Sequence, residues 1–307
     1  MIAAARLAGH SQEAFRSLKD GMVVAALGVT LLVAQPADGA AMPREAVSTR
    51  SGYTVVESKP YGEGPRRSLD IYRPKNATNA PVVVFFYGGS WQGGSKKTYR
   101  FLASALARRG YVTIVPDYRV YPEIRYPSFL DDGAQAVAWS RAHAAEFGGD
   151  PDSIVLMGHS AGAYIAAMLA IDDRWLAKVG LDPKQDIAGL VGLSGPYNFL
   201  PLKSETLKTI FGGANRPETQ PVNFVSGNEP PAFLGTGAND KTVDPRNAAS
   251  LAERLTAAGG EAEVHRYRGV GHITLVASIA WPLRFLAPVL KDVDRFIHSV
   301  TDRKVRS

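Results

Sequence analysis

The 307-residue sequence has no cysteine. That excludes disulfides, thiolate nucleophiles and thiolate-bound metals, and it leaves no residue for a lipid-modified N-terminal cysteine. Charge of one sign is not concentrated anywhere: 35 Lys+Arg against 29 Asp+Glu give a formal net charge of +6, but bases and acids are interleaved. Without a basic stripe or a recognisable module, nucleic acid is not an expected partner. An apolar run of membrane-spanning length is also missing near the N-terminus, where GMVVAALGVTLLVA (21–34) has 14 residues and a span needs about 20. Preceded by Arg6, Arg16 and Lys19, and followed by the small residues Ala37 and Gly39, this run reads as a secretory signal over 1–39, with cleavage after Gly39. Glu13 and Asp20 are unusual in such a leader. The expectation is an exported, periplasmic or secreted chain with no stable membrane span after cleavage; a cytoplasmic or membrane-tethered chain is the alternative.

What is present is enough apolar residue, 45% of the chain, to bury a full core. YTVVES (53–58) and RSLDIYRP (67–74) alternate apolar and polar residues across a Gly/Pro-rich turn, which predicts an antiparallel hairpin at a sheet edge. Five later runs are continuously apolar: PVVVFFYGG (81–89), YVTIVPDYR (111–119), SIVLMGHS (153–160), IAGLVGLSGP (187–196) and PPAFLGTGAND (230–240). Continuous runs suit strands buried on both faces. Segments of helical spacing separate most of them, ending at Gly110, at Gly148–Gly149, or following Ser160. Strand, loop and helix repeated in this way predict one α/β domain over 40–307, with a mostly parallel twisted sheet covered by helices on both faces. The stretch 197–229, rich in Pro, Gly and Asn, breaks the alternation and reads as a short cap or lid.

In such a sheet the chemistry belongs in loops at the carboxyl ends of the strands. Gly158-His159-Ser160-Ala161-Gly162 is one of these. As a bare G-x-S-x-G pattern it is weak, but its context is a strand-to-helix turn, where glycines make room and the serine oxygen is aimed out of the sheet. The same turn puts the Ala161 N–H at a helix N-terminus, ready to meet an oxyanion. A nucleophilic serine needs a base, and the base an orienting carboxylate. Of the histidines after Ser160, His265 sits inside the alternating EVHRYR, and His298 lies on the last helix beside Phe296 and Ile297. His272, in RGVGHITL beyond the final strand, is free to reach the sheet edge and is the expected base. Asp240 follows the strand AFLGTG and is the expected carboxylate; Asp244, just before Pro245, reads instead as a helix cap. Gly88 and Gly89, after an early strand, can turn backbone N–H groups toward a shared point.

Taken together, YGGSW, PDYRVYPEIRYPSFLDD, EFGGDPDSIVLMGHSAG, GTGANDKTVDP and GVGHI, covering about residues 80–275, resemble the α/β-hydrolase carboxylesterases close to the hormone-sensitive-lipase and bacterial carboxylesterase/formamidase group. The resemblance implies a hydrolase without cofactor or metal. Ser160, Asp240 and His272 would form its triad, and the N–H groups of Gly88, Gly89 and Ala161 its oxyanion hole. Tyr87 and Ser90 stand where that group has a histidine and a third glycine. Trp91, Tyr164 and Ile273, with Tyr87, flank the reacting positions as pocket candidates, although core packing suits Trp91, Tyr164 and Ile273 equally. The expected substrate is a small or short-acyl ester. The alternatives are an aryl formamidase or amidase on the same triad, and a non-catalytic binding module on the same fold. The sequence carries no signal for oligomeric state.

Overall fold

The continuous apolar runs become the middle of a nine-stranded mixed sheet in the computed structural model, which describes residues 46–50 and 52–304. The leader expected over 1–39 lies outside the described residues. In chain order the strands are β1 (Ala46–Arg50), β2 (Tyr53–Pro60), β3 (Ser68–Pro74), β4 (Ala80–Phe86), β5 (Val112–Pro116), β6 (Gly149–His159), β7 (Ile187–Leu193), β8 (Ala232–Gly237) and β9 (Ala262–Tyr267). Their order across the sheet is β1-β2-β3-β5-β4-β6-β7-β8-β9. The first three pairings, as far as β3 on β5, are antiparallel, and every pairing from β5–β4 to β8–β9 is parallel. The expected α/β-hydrolase-type arrangement is therefore present. One difference is at the edge: the β2–β3 hairpin is flanked by β1, whose short polar sequence AVSTR carries no periodic signal.

Strand composition follows burial. Val82 to Phe86 of β4 and Ile154 to Met157 of β6 are fully enclosed, as expected for parallel strands covered on both faces. The principal helices are α1 (Arg100–Ala107), α2 (Ser128–His143), α3 (Ala161–Ile171), α4 (Glu205–Phe211), α5 (Arg246–Ala257), α6 (His272–Ala277) and α7 (Val289–Lys304). Every residue of α3 is buried, and a helix apolar all round belongs in a core. It packs on β6 and β7 and against α2, where Gly133 lets the Ile165 and Leu169 side chains come close. On β7, Gly189 admits Phe296 and Val300 of α7 in the same way.

Because β4, β6 and β8 run in parallel, their carboxyl ends share one edge. The loops after them carry Gly88–Gly89, Ser160 and Asp240, and the loop after β9 brings His272 to the start of α6. The irregular stretch expected over 197–229 contains α4, opened by a Ser204 cap on the Leu207 N–H and closed at Gly212 in the left-handed region, then two 3-10 turns. Side chains tie it to the body: Tyr164 Oη donates to Thr219 O at 2.8 Å, and Tyr126 Oη to Glu218 O at 2.9 Å.

Candidate active site

The turn from β6 into α3 is tight enough to dictate its residues. Ser160 has φ 55° and ψ −124°, a conformation that costs an L-residue about 1–3 kcal/mol and persists only where the surroundings impose it. They do so here. The Ser160 N–H is held by Leu193 O of β7 at 2.9 Å, a side chain at Gly158 would collide with the Gly162 carbonyl, and one at Gly162 with the Phe86 carbonyl.

Ser160 Oγ lies 2.9 Å from His272 Nε2, and His272 Nδ1 lies 2.8 Å from Asp240 Oδ2. A carboxylate only accepts, so Nδ1 carries the proton and Nε2 is left to receive the serine hydrogen. The other Asp240 oxygen accepts the Thr242 and Val243 N–H groups, each at 2.9 Å. Burial alone would raise the Asp240 pKa, but the hydrogen bonds from His272 and Val243 and the charge interaction with His272 more than offset it, and the carboxyl sits below its ordinary range. Asp244 is turned away. It accepts the Arg246 N–H at 2.9 Å and pairs with that guanidinium, as a residue at a helix start does. His265 lies on β9 against Glu263, and His298 on α7, largely exposed.

Of the three expected oxyanion donors, one is engaged within the fold. The N–H groups of Gly89 and Ala161 have no protein acceptor among the described residues. Gly88, by contrast, gives its N–H to the Tyr99 hydroxyl at 3.3 Å. Beyond Gly89, at φ 148°, Ser90 and Trp91 take φ values of 52° and 58°. Two successive non-glycine residues in the left-handed region are strained by about 1–2 kcal/mol each, and Ser90 occupies the place where a third glycine would be free of strain.

The four pocket candidates differ in exposure. Tyr87 is fully buried beneath the loop, stacked on Tyr118 at 4.7 Å between ring centroids. Its hydroxyl accepts from Arg66 at 3.1 Å, and the same Arg66 nitrogen donates to Gly94 O at 2.9 Å. The tyrosine thus anchors the loop from below. Trp91 and Tyr164 are also buried: Trp91 packs on Tyr164, Phe199 and Phe211, and Tyr164 donates to Thr219 O. Ile273, beside His272, is the one of the four with substantial exposure, 37%. Among the described residues, no group of three His, Asp or Glu could hold a metal.

Sequence reading passed over His159 and Tyr99. His159 fills a variable position of the G-x-S-x-G pattern, and Tyr99 immediately precedes α1, so neither carried a motif signal. His159 Nδ1 lies 2.9 Å from Tyr99 Oη, and its Nε2 lies 3.1 Å from the His272 backbone oxygen. Burial, with His272 beside it, drives the His159 imidazole down to about 3, so it is neutral in the fold. In the unfolded chain the same residue takes up a proton near pH 6.5. The stability it contributes is complete above that pH and declines as the pH falls, because only the unfolded state then binds the proton. From pH 7 to pH 5 the loss is about 2 kcal/mol; the Asp240 contribution is lost only below about pH 4. Denaturant titrations at both pH values check this. His159→Gln should lack this part of the slope, and equal slopes for variant and wild type would mean that His159 becomes charged within the fold.

Sheet order, the strained strand–turn–helix at Ser160 and the Ser–His–Asp contact define an α/β-hydrolase. Residues 69–255 match the BD-FAE family model, and the chain belongs to that family. It is 32% identical over 243 residues to the isoprenylcysteine alpha-carbonyl methylesterase ICME of Arabidopsis thaliana, covering 72% of this chain and 57% of that protein. It is 30% identical to the esterase LipC of Mycobacterium tuberculosis, covering 64% and 54%. The chain spans just over half the length of these relatives. Among solved structures it resembles a truncated carbohydrate esterase from gut microbiota, at TM-score 0.72 and 19% identity over 84% of this chain and 100% of that one, a likeness of fold. It also resembles the apo form of Thermogutta terrifontis esterase 2, at TM-score 0.65 and 25% identity over 85% and 96%.

Proposed function

We propose that the protein hydrolyses carboxylic esters through an acyl-enzyme on Ser160. The observation that carries this reading is the unbroken contact from Ser160 Oγ through His272 to Asp240, at 2.9 and 2.8 Å. His272 Nε2 takes the hydroxyl proton as Ser160 Oγ attacks the carbonyl carbon. The oxygen that becomes negative is met by the Gly89 and Ala161 N–H groups. The imidazolium, stabilised by Asp240, then gives its proton to the departing alcohol, and water repeats the cycle to release the acid. That the relatives are named esterases and a methylesterase supports an ester as the bond attacked.

Trp91 stands two residues beyond Gly89, and the cap aromatics Phe199 and Phe211 pack on it at 6.2 and 4.8 Å between ring centroids. This packing leaves little room on that side and supports a small or short-acyl ester. The test is an acyl-length series of aryl esters and one aryl formamide, with fluorophosphonate labelling of the same preparation. Acetate to butyrate should exceed decanoate by about 10-fold or more in kcat/KM. A flat profile would remove the short-acyl preference. Faster cleavage of the formamide would assign the triad to amides, and absence of covalent labelling would point to a binding module.

A further inference from the structure

We propose that Tyr99 and His159 are positioning residues that join the oxyanion loop to the base through one directed chain of hydrogen bonds. The proposal rests on the reading of Ser160 and His272 given above. The reacting groups come from three separate loops: Gly88–Gly89 after β4, Ser160 after β6 and His272 after β9. The chain crosses all three. Gly88 N–H donates to Tyr99 Oη at 3.3 Å, Tyr99 Oη–H to His159 Nδ1 at 2.9 Å, and His159 Nε2–H to His272 O at 3.1 Å.

Its direction is forced from one end. The His272 carbonyl can only accept, so Nε2 of His159 bears the hydrogen, and in a neutral imidazole Nδ1 must then accept. Tyr99 therefore donates to His159 and offers a lone pair to Gly88. No donor in the chain is left over. The loop lies against His159 so closely that a side chain on Gly88 would come within 3.1 Å of Nδ1 and 2.9 Å of Ser160 Cβ. The titratable groups around His159 are Tyr99 and His272, with Asp240 behind His272. His159 stays uncharged, which suits a neighbour 4.8 Å between ring centroids from an imidazole that becomes positive during reaction.

The Tyr99 ring has its own support, from Phe85 at 5.2 Å and Phe101 at 5.9 Å, so packing does not call for the hydroxyl. What the hydroxyl does is take up the Gly88 N–H. With that peptide pinned, the next N–H along, on Gly89, is the one presented with Ala161. At the other end, the His159 bond fixes the backbone at the first residue of α6, whose start is otherwise held by Gly271 N–H on Thr274 Oγ1 at 2.7 Å.

Tyr99→Phe removes the hydroxyl and keeps the ring. His159→Gln keeps a donor that can reach the His272 carbonyl and loses the acceptor for Tyr99. Turnover of an aryl acetate is measured per active site, with sites counted by fluorophosphonate titration and folding followed by thermal melting. Tyr99→Phe should lose roughly 10- to 100-fold in kcat with KM changed less than about threefold, the cost of misplacing a reacting group. The double variant should be no worse than His159→Gln alone, because both break the same arm. If His159→Gln does not fold, Tyr99→Phe decides the matter. A Tyr99→Phe enzyme that keeps kcat per titrated site within twofold overturns the proposal, even if fewer sites titrate or the melting temperature falls. So do losses that multiply in the double variant. Wild-type protein that takes no label overturns this proposal together with the assignment of Ser160, whereas normal labelling with an unaffected Tyr99→Phe variant overturns this proposal alone.

Discussion

Ser160→Ala should lower ester turnover by on the order of a millionfold, with the fold intact. The two parts of this expectation have different origins. Ser160 Oγ makes one hydrogen bond, to His272 Nε2, and the conformation of the turn is imposed by Gly158, Gly162 and the Leu193 carbonyl rather than by the hydroxyl. Losing one such bond costs about 1 kcal/mol, too little to unfold a core of this extent. The chemistry, in contrast, depends on the hydroxyl that contacts the base, Ser160 Oγ on His272 Nε2. His272→Ala should fall to a similar level, since serine and base act as a unit and removing either removes both. Turnover of an aryl acetate by purified variants, beside fluorophosphonate labelling, checks the pair. A Ser160→Ala enzyme retaining even a hundredth of wild-type turnover would remove the serine from the mechanism.

Ser160, Asp240 and His272 could be selected from sequence because each lies at a position that the strand pattern itself marks: the end of a continuous apolar run, or the loop beyond the last alternating one. The contacts among them follow from topology, since parallel strands bring those ends to one edge. Asp244 could be separated from Asp240 for the same kind of reason: proline at the next position signals a helix start. The Gly88 N–H was not legible. Its acceptor belongs to Tyr99, eleven residues on, and which way a peptide faces in a glycine loop is decided by what packs around it. His159 escaped because a motif treats it as filler. Trp91 and Tyr164 suit pocket and core equally by sequence, and their contacts with Phe199 and Phe211 depend on where the aromatics of 197–229 settle, which no local pattern states.

Tyr87 shows how a local departure is absorbed by a distant residue. The phenol reaches under the loop to Arg66, which also holds Gly94 O and, at 3.0 Å, Tyr118 O. One guanidinium from the β2–β3 connection therefore ties together both ends of the loop that presents Gly89. Arginine suits this task because its planar fork supplies several donors at once.

Gly162→Ala should be the most destabilising small substitution at the site, by at least ~4 kcal/mol, a range reached only by a few mechanisms such as severe overpacking. Helix propensity points the other way, favouring alanine over glycine by about 1 kcal/mol inside a helix, so a large loss would have to come from contact. An alanine methyl there would collide with the Phe86 carbonyl and come within 2.5 Å of Tyr87 O. These are backbone atoms at the end of β4, unable to swing aside as a side chain can. Making room means lifting the end of β4 from α3, which would break its pairing with β6 at Phe86 and Gly158 and displace the Gly88–Gly89 loop. Gly133→Ala on α2 is the internal control, because the nearest atoms to its methyl would be side-chain ones, of Ile165 and Leu169 at 3.0 and 3.1 Å and of Phe86 at 3.6 Å. Those methyls can yield, and helix propensity offsets part of the cost, leaving about 1 kcal/mol or less. Chemical denaturation of the two variants beside wild type makes the comparison. A Gly162→Ala protein as stable as Gly133→Ala would mean that the strand and helix stand further apart at the turn than the structure has them.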